Sequence, residues 1–182
     1  MTKPEARARA KCLRRTLDQA ALGSAMAEHL FAAPVWQNAR TVFCFVPLRD
    51  EPDTMPVLCR ALAEHRRLAV PRVTGEGTME LVALAGLEDL QPRAYGILEP
   101  DGGTVLTSLG PDALALIPCL AADRNGVRLG RGGGYYDRFL GQYKGEKRLL
   151  CPEALLFDAL PADPWDVNFR PDEILTEKGF LR

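Results

Sequence analysis

The chain has 182 residues, 47% of them hydrophobic and 26% charged, which is enough for one well-buried core and short for two. Residues 1–182 are therefore read as a single domain. A net charge of −1 gives no global attraction to nucleic acid or an acidic membrane, although six basic side chains fall in the first fifteen residues. In chain order, residues 5–32 carry Leu13, Leu17, Leu22, Met26 and Leu30 with charges between them, and predict one amphipathic helix docked on the body. Residues 41–46 (TVFCFV) are a continuous apolar run closed by Pro47, the pattern of a parallel strand buried on both faces. A helix is expected over 55–65, with Asp53 and Thr54 before it as caps. Strands are expected at 68–70, 79–84 and 113–117, the first and last stopping at Pro71 and Pro118. Residues 75–78 and 100–107 read as surface turns, and segments 149–157 and 173–176 complete a strand-and-helix alternation. That order predicts a three-layer α/β/α sandwich with a mainly parallel sheet, whose ligands collect at the carboxyl ends of strands.

Cys12, Cys44, Cys59, Cys119 and Cys151 are odd in number, have no C-x-x-C spacing and mostly sit in apolar runs, so they read as buried thiols in a reducing compartment and not as a zinc site or disulfide framework. No apolar run has the length of a membrane span and no signal core follows the N-terminal charges. The expectation is a cytoplasmic monomer without membrane or nucleic-acid partners. His29 and His65 lie in helical segments with polar neighbours and read as surface residues.

The chemistry concentrates in residues 127–137 (VRLGRGGGYYD), which place two guanidinium groups, four glycines, two phenols and a carboxylate together. Glycines alone would fit a flexible turn. Arginines and an acid beside them favour an anion site, because backbone N–H groups and guanidinium forks both match phosphate oxygens. The helical spacing of residues 135–140 would add the free N–H groups of a first turn. Neither a Walker A loop nor a dinucleotide fingerprint occurs.

Residues 117–120 (IPCL), Asp123, Gly126 and then 128–138 (RLGRGGGYYDR) resemble the signature of the 5-formyltetrahydrofolate cyclo-ligase family. Supporting landmarks follow in the same order: Leu13-Arg14, Glu51-x-Asp53-Thr54, Pro71-Arg72-Val73, Gly96-Ile97-x-Glu99-Pro100, Pro164-Trp165-Asp166 and Ile174-Leu175-Thr176-Glu177. The resemblance implies a ligase that uses ATP and Mg²⁺ to close 5-formyltetrahydrofolate, free or polyglutamylated, to 5,10-methenyltetrahydrofolate. Arg128, Leu129, Gly130, Arg131, Gly132, Gly133, Gly134, Tyr135 and Tyr136 then correspond to the ATP-binding segment. Arg131 and Tyr135 also approach the folate and are the catalytic candidates. Asp137 and Asp166 correspond to carboxylates that hold Mg²⁺, Glu51 and Val46 to the folate wall, and Arg14 to an arginine that reaches the phosphates. The family's lysine four residues before that arginine is missing at Ala10, which leaves Lys11 as its stand-in. The stretch from Asp166 to Thr176 is two residues longer than the usual pattern, and the lysine that interrupts the glycine run in some members is Gly133 here. Two other readings remain open at this point: a catalytically decayed folate- or nucleotide-binding module, and a different phosphate-handling enzyme on a similar sandwich.

Overall fold

Thr2 opens helix α1 (Lys3–Arg14) with a capping box, its hydroxyl accepting the Glu5 N–H while the Glu5 carboxylate accepts the Thr2 N–H. The computed structural model, which describes residues 1–93 and 97–182, ends that helix at Arg14. Helix α2 (Gln19–Ala32) starts afresh from Asp18, whose carboxylate accepts the Ala21 N–H. The single helix expected over 5–32 is thus two. The break lets them serve opposite faces of the sheet, with Ala6 and Ala10 of α1 in one core and Met26, Ala27 and Leu30 of α2 in the other.

The chain continues through α3 (Pro34–Asn38), β1 (Thr41–Cys44), α4 (Met55–Ala63), β2 (Arg67–Gly75), β3 (Thr78–Leu84), β4 (Leu90–Pro92), β5 (Leu98–Pro100) and β6 (Thr104–Leu106). It then runs through β7 (Ala113–Pro118), β8 (Ala121–Asp123), β9 (Arg128–Leu129), α5 (Tyr135–Gln142), β10 (Glu146–Leu150), β11 (Leu156–Phe157), β12 (Ile174–Thr176) and β13 (Gly179–Phe180). The main sheet has the order β13-β12-β10-β7-β1-β2-β3-β6. Strands β12 through β2 are parallel, and β13, β3 and β6 are antiparallel at the edges. Alternate residues of β1 and β7 point to the two cores: Phe43, Ala115 and Ile117 meet α1 and α5, whereas Val42, Leu114 and Leu116 meet α2, α3 and α4. The three-layer sandwich is the one expected.

Three local readings are corrected. Strand β2 runs through Pro71, because β1 pairs only as far as Ala69 and the missing N–H therefore costs no ladder bond on that side. Residues 104–106 are an edge strand and not a turn. Segment 149–157 divides between β10 and β11, the latter joining β8 and β9 in a small separate sheet. Gly96 of the resemblance lies outside the described residues. No helix among them is long and apolar enough to cross a membrane.

Strands β1 and β7 are neighbours from which the chain departs in opposite directions, so the loops after them face each other at a topological switch point. The loop after β1 is fastened from behind. Thr54 Oγ1 donates to the Phe45 carbonyl at 2.7 Å, Asp53 N–H bonds the Gln19 carbonyl at 2.9 Å, and a Cβ on Gly23 would collide with the Asp53 backbone.

Candidate active site

After β7 the chain turns at Cys119 and Leu120 into the β8–β9 hairpin. Its tip is tied by Asp123, whose Oδ1 accepts the N–H groups of Asn125 and Val127 and whose Oδ2 accepts that of Leu160, each at 2.9 Å. Asp123, read from the signature, is therefore a structural acid that aims β9 at the sheet end. Residues 130–134 then form an open loop, with Gly132 at φ 104° and Gly134 at φ 72° as the residue before α5. Both values lie in the left-handed region that side chains disfavour. A loop of this shape, running into a helix N-terminus, presents backbone N–H groups to an anion.

Two arginines of the loop diverge. Arg128 is buried, donating from Nε to the Pro118 carbonyl and from Nη1 to Asp137 Oδ1, both at 2.9 Å, with its guanidinium 5.5 Å from the Tyr136 ring centre. Arg131 reaches across to the loop after β1. Its Nη2 donates to Asp50 Oδ1 at 2.6 Å, and Nε and Nη2 both reach Glu51 Oε1 at 3.2 Å. Burial alone would push the Asp50 carboxyl up, but the Arg131 hydrogen bond and the charges of Arg131 and Arg14 outweigh it and hold it below the usual carboxylate range. A depressed carboxyl keeps its stabilising contact above its ordinary value near 3.8 and loses it only as pH falls through the lower folded value, so the contact persists throughout the neutral range.

These loops enclose a cavity of about 510 Å³. Phe45, Val46, Pro71, Met79, Ile97 and Leu98 supply apolar walls, and Glu51, Arg128, Arg131, Tyr135 and Asp137 converge as polar groups. That balance suits a flat organic ligand with a few fixed polar edges. Tyr135 and Met79 also border a second cavity of about 770 Å³ between α5 and strands β3 and β6.

A model of the 5-formyltetrahydrofolate cyclo-ligase family matches residues 2–177. The chain belongs to this family. It is 30% identical to the Aquifex aeolicus 5,10-methenyltetrahydrofolate synthetase structure, superposing with a TM-score of 0.84 over 100% of this chain and 93% of that one. The mitochondrial 5-formyltetrahydrofolate cyclo-ligase of Arabidopsis thaliana is 31% identical over 86% of this chain and 66% of its own length. The enzyme of that name from Mycolicibacterium smegmatis is 30% identical over 78% of this chain and 75% of its own length.

Of the residues matched to the cyclo-ligase signature, Val46, Glu51, Arg128, Gly130, Arg131, Gly132, Gly133, Gly134, Tyr135, Tyr136 and Asp137 all line the first cavity. Leu129 does not; its side chain is buried in the core and its carbonyl accepts the Leu120 N–H. Arg14 does not either. It is 2% exposed, with Nε donating to the Leu120 carbonyl at 3.1 Å and the other two nitrogens donating to the carbonyls of Asp50 and Cys119. Arg14 therefore stitches α1 to both site loops from beneath. Lys11 is exposed and makes no side-chain hydrogen bond or ion pair among the described residues.

The cation that α1 does bring to the loop is Arg7, which sequence reasoning passed over together with Lys3. Arg7 Nε donates to the Gly130 carbonyl at 3.0 Å, and its guanidinium faces the open side of Gly132. Lys3, one turn earlier, bonds Asp163 Oδ2 and Asp166 Oδ2, each at 2.6 Å. Residues 3, 7, 10 and 14 share one helical stripe, and fully buried Ala10 sits in its middle against the core. A lysine there would enter apolar packing. The spacing of a lysine four residues before an arginine, sought at 10 and 14, occurs at Lys3 and Arg7. That repeat of the spacing was the available signal.

No three His, Cys, Asp or Glu side chains form a metal cluster among the described residues. Asp137 fits Mg²⁺ nonetheless, because that ion usually takes one or two carboxylates and completes its shell with phosphate oxygens and water. Asp137 lines the cavity and meets Arg128 through one oxygen only, whereas Asp166, expected as a second metal carboxylate, does not line the cavity and is held by Lys3 and the Asp163 N–H. Nucleophilic thiol chemistry finds no support at Cys44, whose thiol burial pushes up to about 12.

Proposed function

We propose that the chain converts 5-formyltetrahydrofolate to 5,10-methenyltetrahydrofolate, with ATP consumed to ADP and phosphate. The observation that carries this reading is the meeting of Arg131, from the glycine loop, with Glu51, from the loop after β1, in one apolar-walled cavity. An anion cradle and a ring-sized pocket share a single guanidinium. In the reaction the formyl oxygen takes the terminal phosphoryl group of ATP, the neighbouring folate nitrogen closes on the activated carbon and loses its proton, and the oxygen departs with phosphate. This needs no strong protein nucleophile. It needs charge placed around a phosphoryl group in transfer, which the glycine N–H groups, Arg7 and Arg131 supply. Asp137 would hold Mg²⁺, which would contribute charge neutralisation on the phosphates; Asp166, tied to Lys3 away from the cavity lining, would join it only by exchanging that partner. Tyr135 stands at the border of both cavities as the second catalytic candidate. The proposed enzyme is a monomer in a reducing compartment such as the cytoplasm, where the five unpaired cysteines stay reduced; Cys44, Cys119 and Cys151 are buried as expected, whereas Cys12 and Cys59 are exposed.

The reading as a decayed binding module rests on the missing lysine at position 10, and Arg7 beside Gly130 and Gly132 supports the alternative that another α1 cation serves the loop. Mixing the protein with ATP, Mg²⁺ and 5-formyltetrahydrofolate tests the choice. Formation of the methenyl product in step with ADP is expected; binding without turnover would establish the module, and neither would refute the folate reading. The α1 assignment has its own test. Arg7→Ala should weaken binding of a non-hydrolysable ATP analogue about tenfold, the loss of one charge-assisted contact, while Lys11→Ala leaves it within about twofold. The reverse pattern in a calorimetric titration would return the phosphate role to Lys11.

A further inference from the structure

Arg131, which has two tasks in the proposed reaction, is bonded within the protein. It is gripped by two carboxylates of the loop after β1. The shorter contact goes to Asp50 and the other two converge on Glu51 Oε1. The grip also occupies Glu51, which is 6% exposed and whose remaining oxygen, Oε2, accepts the Leu48 N–H at 3.1 Å. With Arg131 in place, both oxygens of the acid matched to folate binding are engaged.

Resting on the proposed function, we propose that Asp50 is a positioning residue that parks Arg131 on this acidic loop, and that transfer of Arg131 from Asp50 and Glu51 to the nucleotide phosphates opens Glu51 to the folate. The exchange is electrostatically even-handed. A triphosphate offers the guanidinium more negative charge in the same fork geometry, while a buried carboxylate that loses its cation gains from any new N–H donor. The amino and ring N–H groups of a reduced pterin are such donors. Each substrate therefore removes an obstacle to the other, and linkage makes the effect reciprocal whichever binds first. Asp50 sets how firmly Arg131 is parked. Its side chain is 40% exposed and that of Arg131 36%, so the grip is weak enough to be broken by a ligand. Burial opposes the Arg131 charge, but the hydrogen bond to Asp50 and the charges of both acids outweigh it and raise its value. Arg131 thus remains a cation throughout and moves as one.

The test is calorimetric titration of 5-formyltetrahydrofolate into wild type and Asp50→Asn, with and without a saturating non-hydrolysable ATP analogue and Mg²⁺. In wild type the nucleotide should tighten folate binding by about fivefold or more. Asp50→Asn leaves the Asp50 carbonyl free to keep its bond from Arg14, and should bind folate alone about two- to fivefold tighter, with the nucleotide effect reduced by the same factor. A merely structural role for Asp50 would weaken folate equally with and without nucleotide, and that result, or an unchanged nucleotide effect, overturns the proposal. Should Asp50→Asn fail to fold, Arg131→Gln releases the same grip from the other side and should bind folate with no dependence on nucleotide; retained dependence overturns the proposal equally. Wild type that turns over but shows no coupling refutes the exchange alone, whereas wild type that binds no folate refutes the proposed function and the exchange with it.

Discussion

Arg131→Ala protein is expected to fold and to be almost inactive. The side chain is partly exposed and its partners lie on surface loops, so its removal leaves both cores untouched. Its effect on the reaction is of another size. A guanidinium aimed at a transferring phosphoryl group acts inside a cavity with apolar walls, where losing one such donor costs about 2.7–4 kcal/mol of barrier, or 10²–10³ in kcat. Steady-state rates of methenyl product, paired with a thermal melt, check this. The loss should fall chiefly on kcat, since the contact strengthens as charge develops. A folded Arg131→Ala enzyme with near-normal turnover would remove the glycine loop from the chemistry altogether.

Arg14→Ala should do the opposite and damage the fold first. The Arg14 guanidinium satisfies the carbonyls of Asp50, Cys119 and Leu120 beneath the site. Truncation leaves those acceptors short of donors and a void under both loops, and each buried unsatisfied group costs about 1–3 kcal/mol. Allowing for partial relaxation, a loss on the order of 3 kcal/mol follows, which for a chain of this length lowers the melting temperature by about 6–12 °C. Arg14→Lys should rescue little, because one ammonium cannot reproduce a planar fork that serves three carbonyls. An unchanged melting temperature with abolished ATP binding would instead make Arg14 the phosphate ligand that its place in the signature suggests.

Those two arginines mark the boundary between what was legible in the chain and what was not. The buried strands at 41–46 and 113–117 announced themselves because a parallel strand covered on both faces must be apolar throughout, and that is a local property of composition. The glycine loop announced itself for a similar reason: left-handed backbone and dense charge are written in consecutive residues. Arg128, Arg131, Tyr135 and Asp137 could therefore be named as site residues in advance, and they line the cavity together. Helix α1 is different. Its five cations look alike in sequence, and several lysine–arginine spacings compete. The break at residues 15–18, the burial of Ala10 and the docking of α1 on the sheet decide which of them meet the loop. Asp50 belongs to a loop, residues 48–54, that the strand pattern already placed at the sheet end, but its partner becomes visible only when the crossing of two loops, 81 residues apart in the chain, brings it 2.6 Å from Arg131. Short-range rules of conformation and charge, acting between neighbours along the chain, determined the strands, the sandwich and the anion loop. Which arginine stitches the fold and which one faces the cavity depends on long-range contacts that exist only once the sheet has formed, and tertiary packing alone decided that.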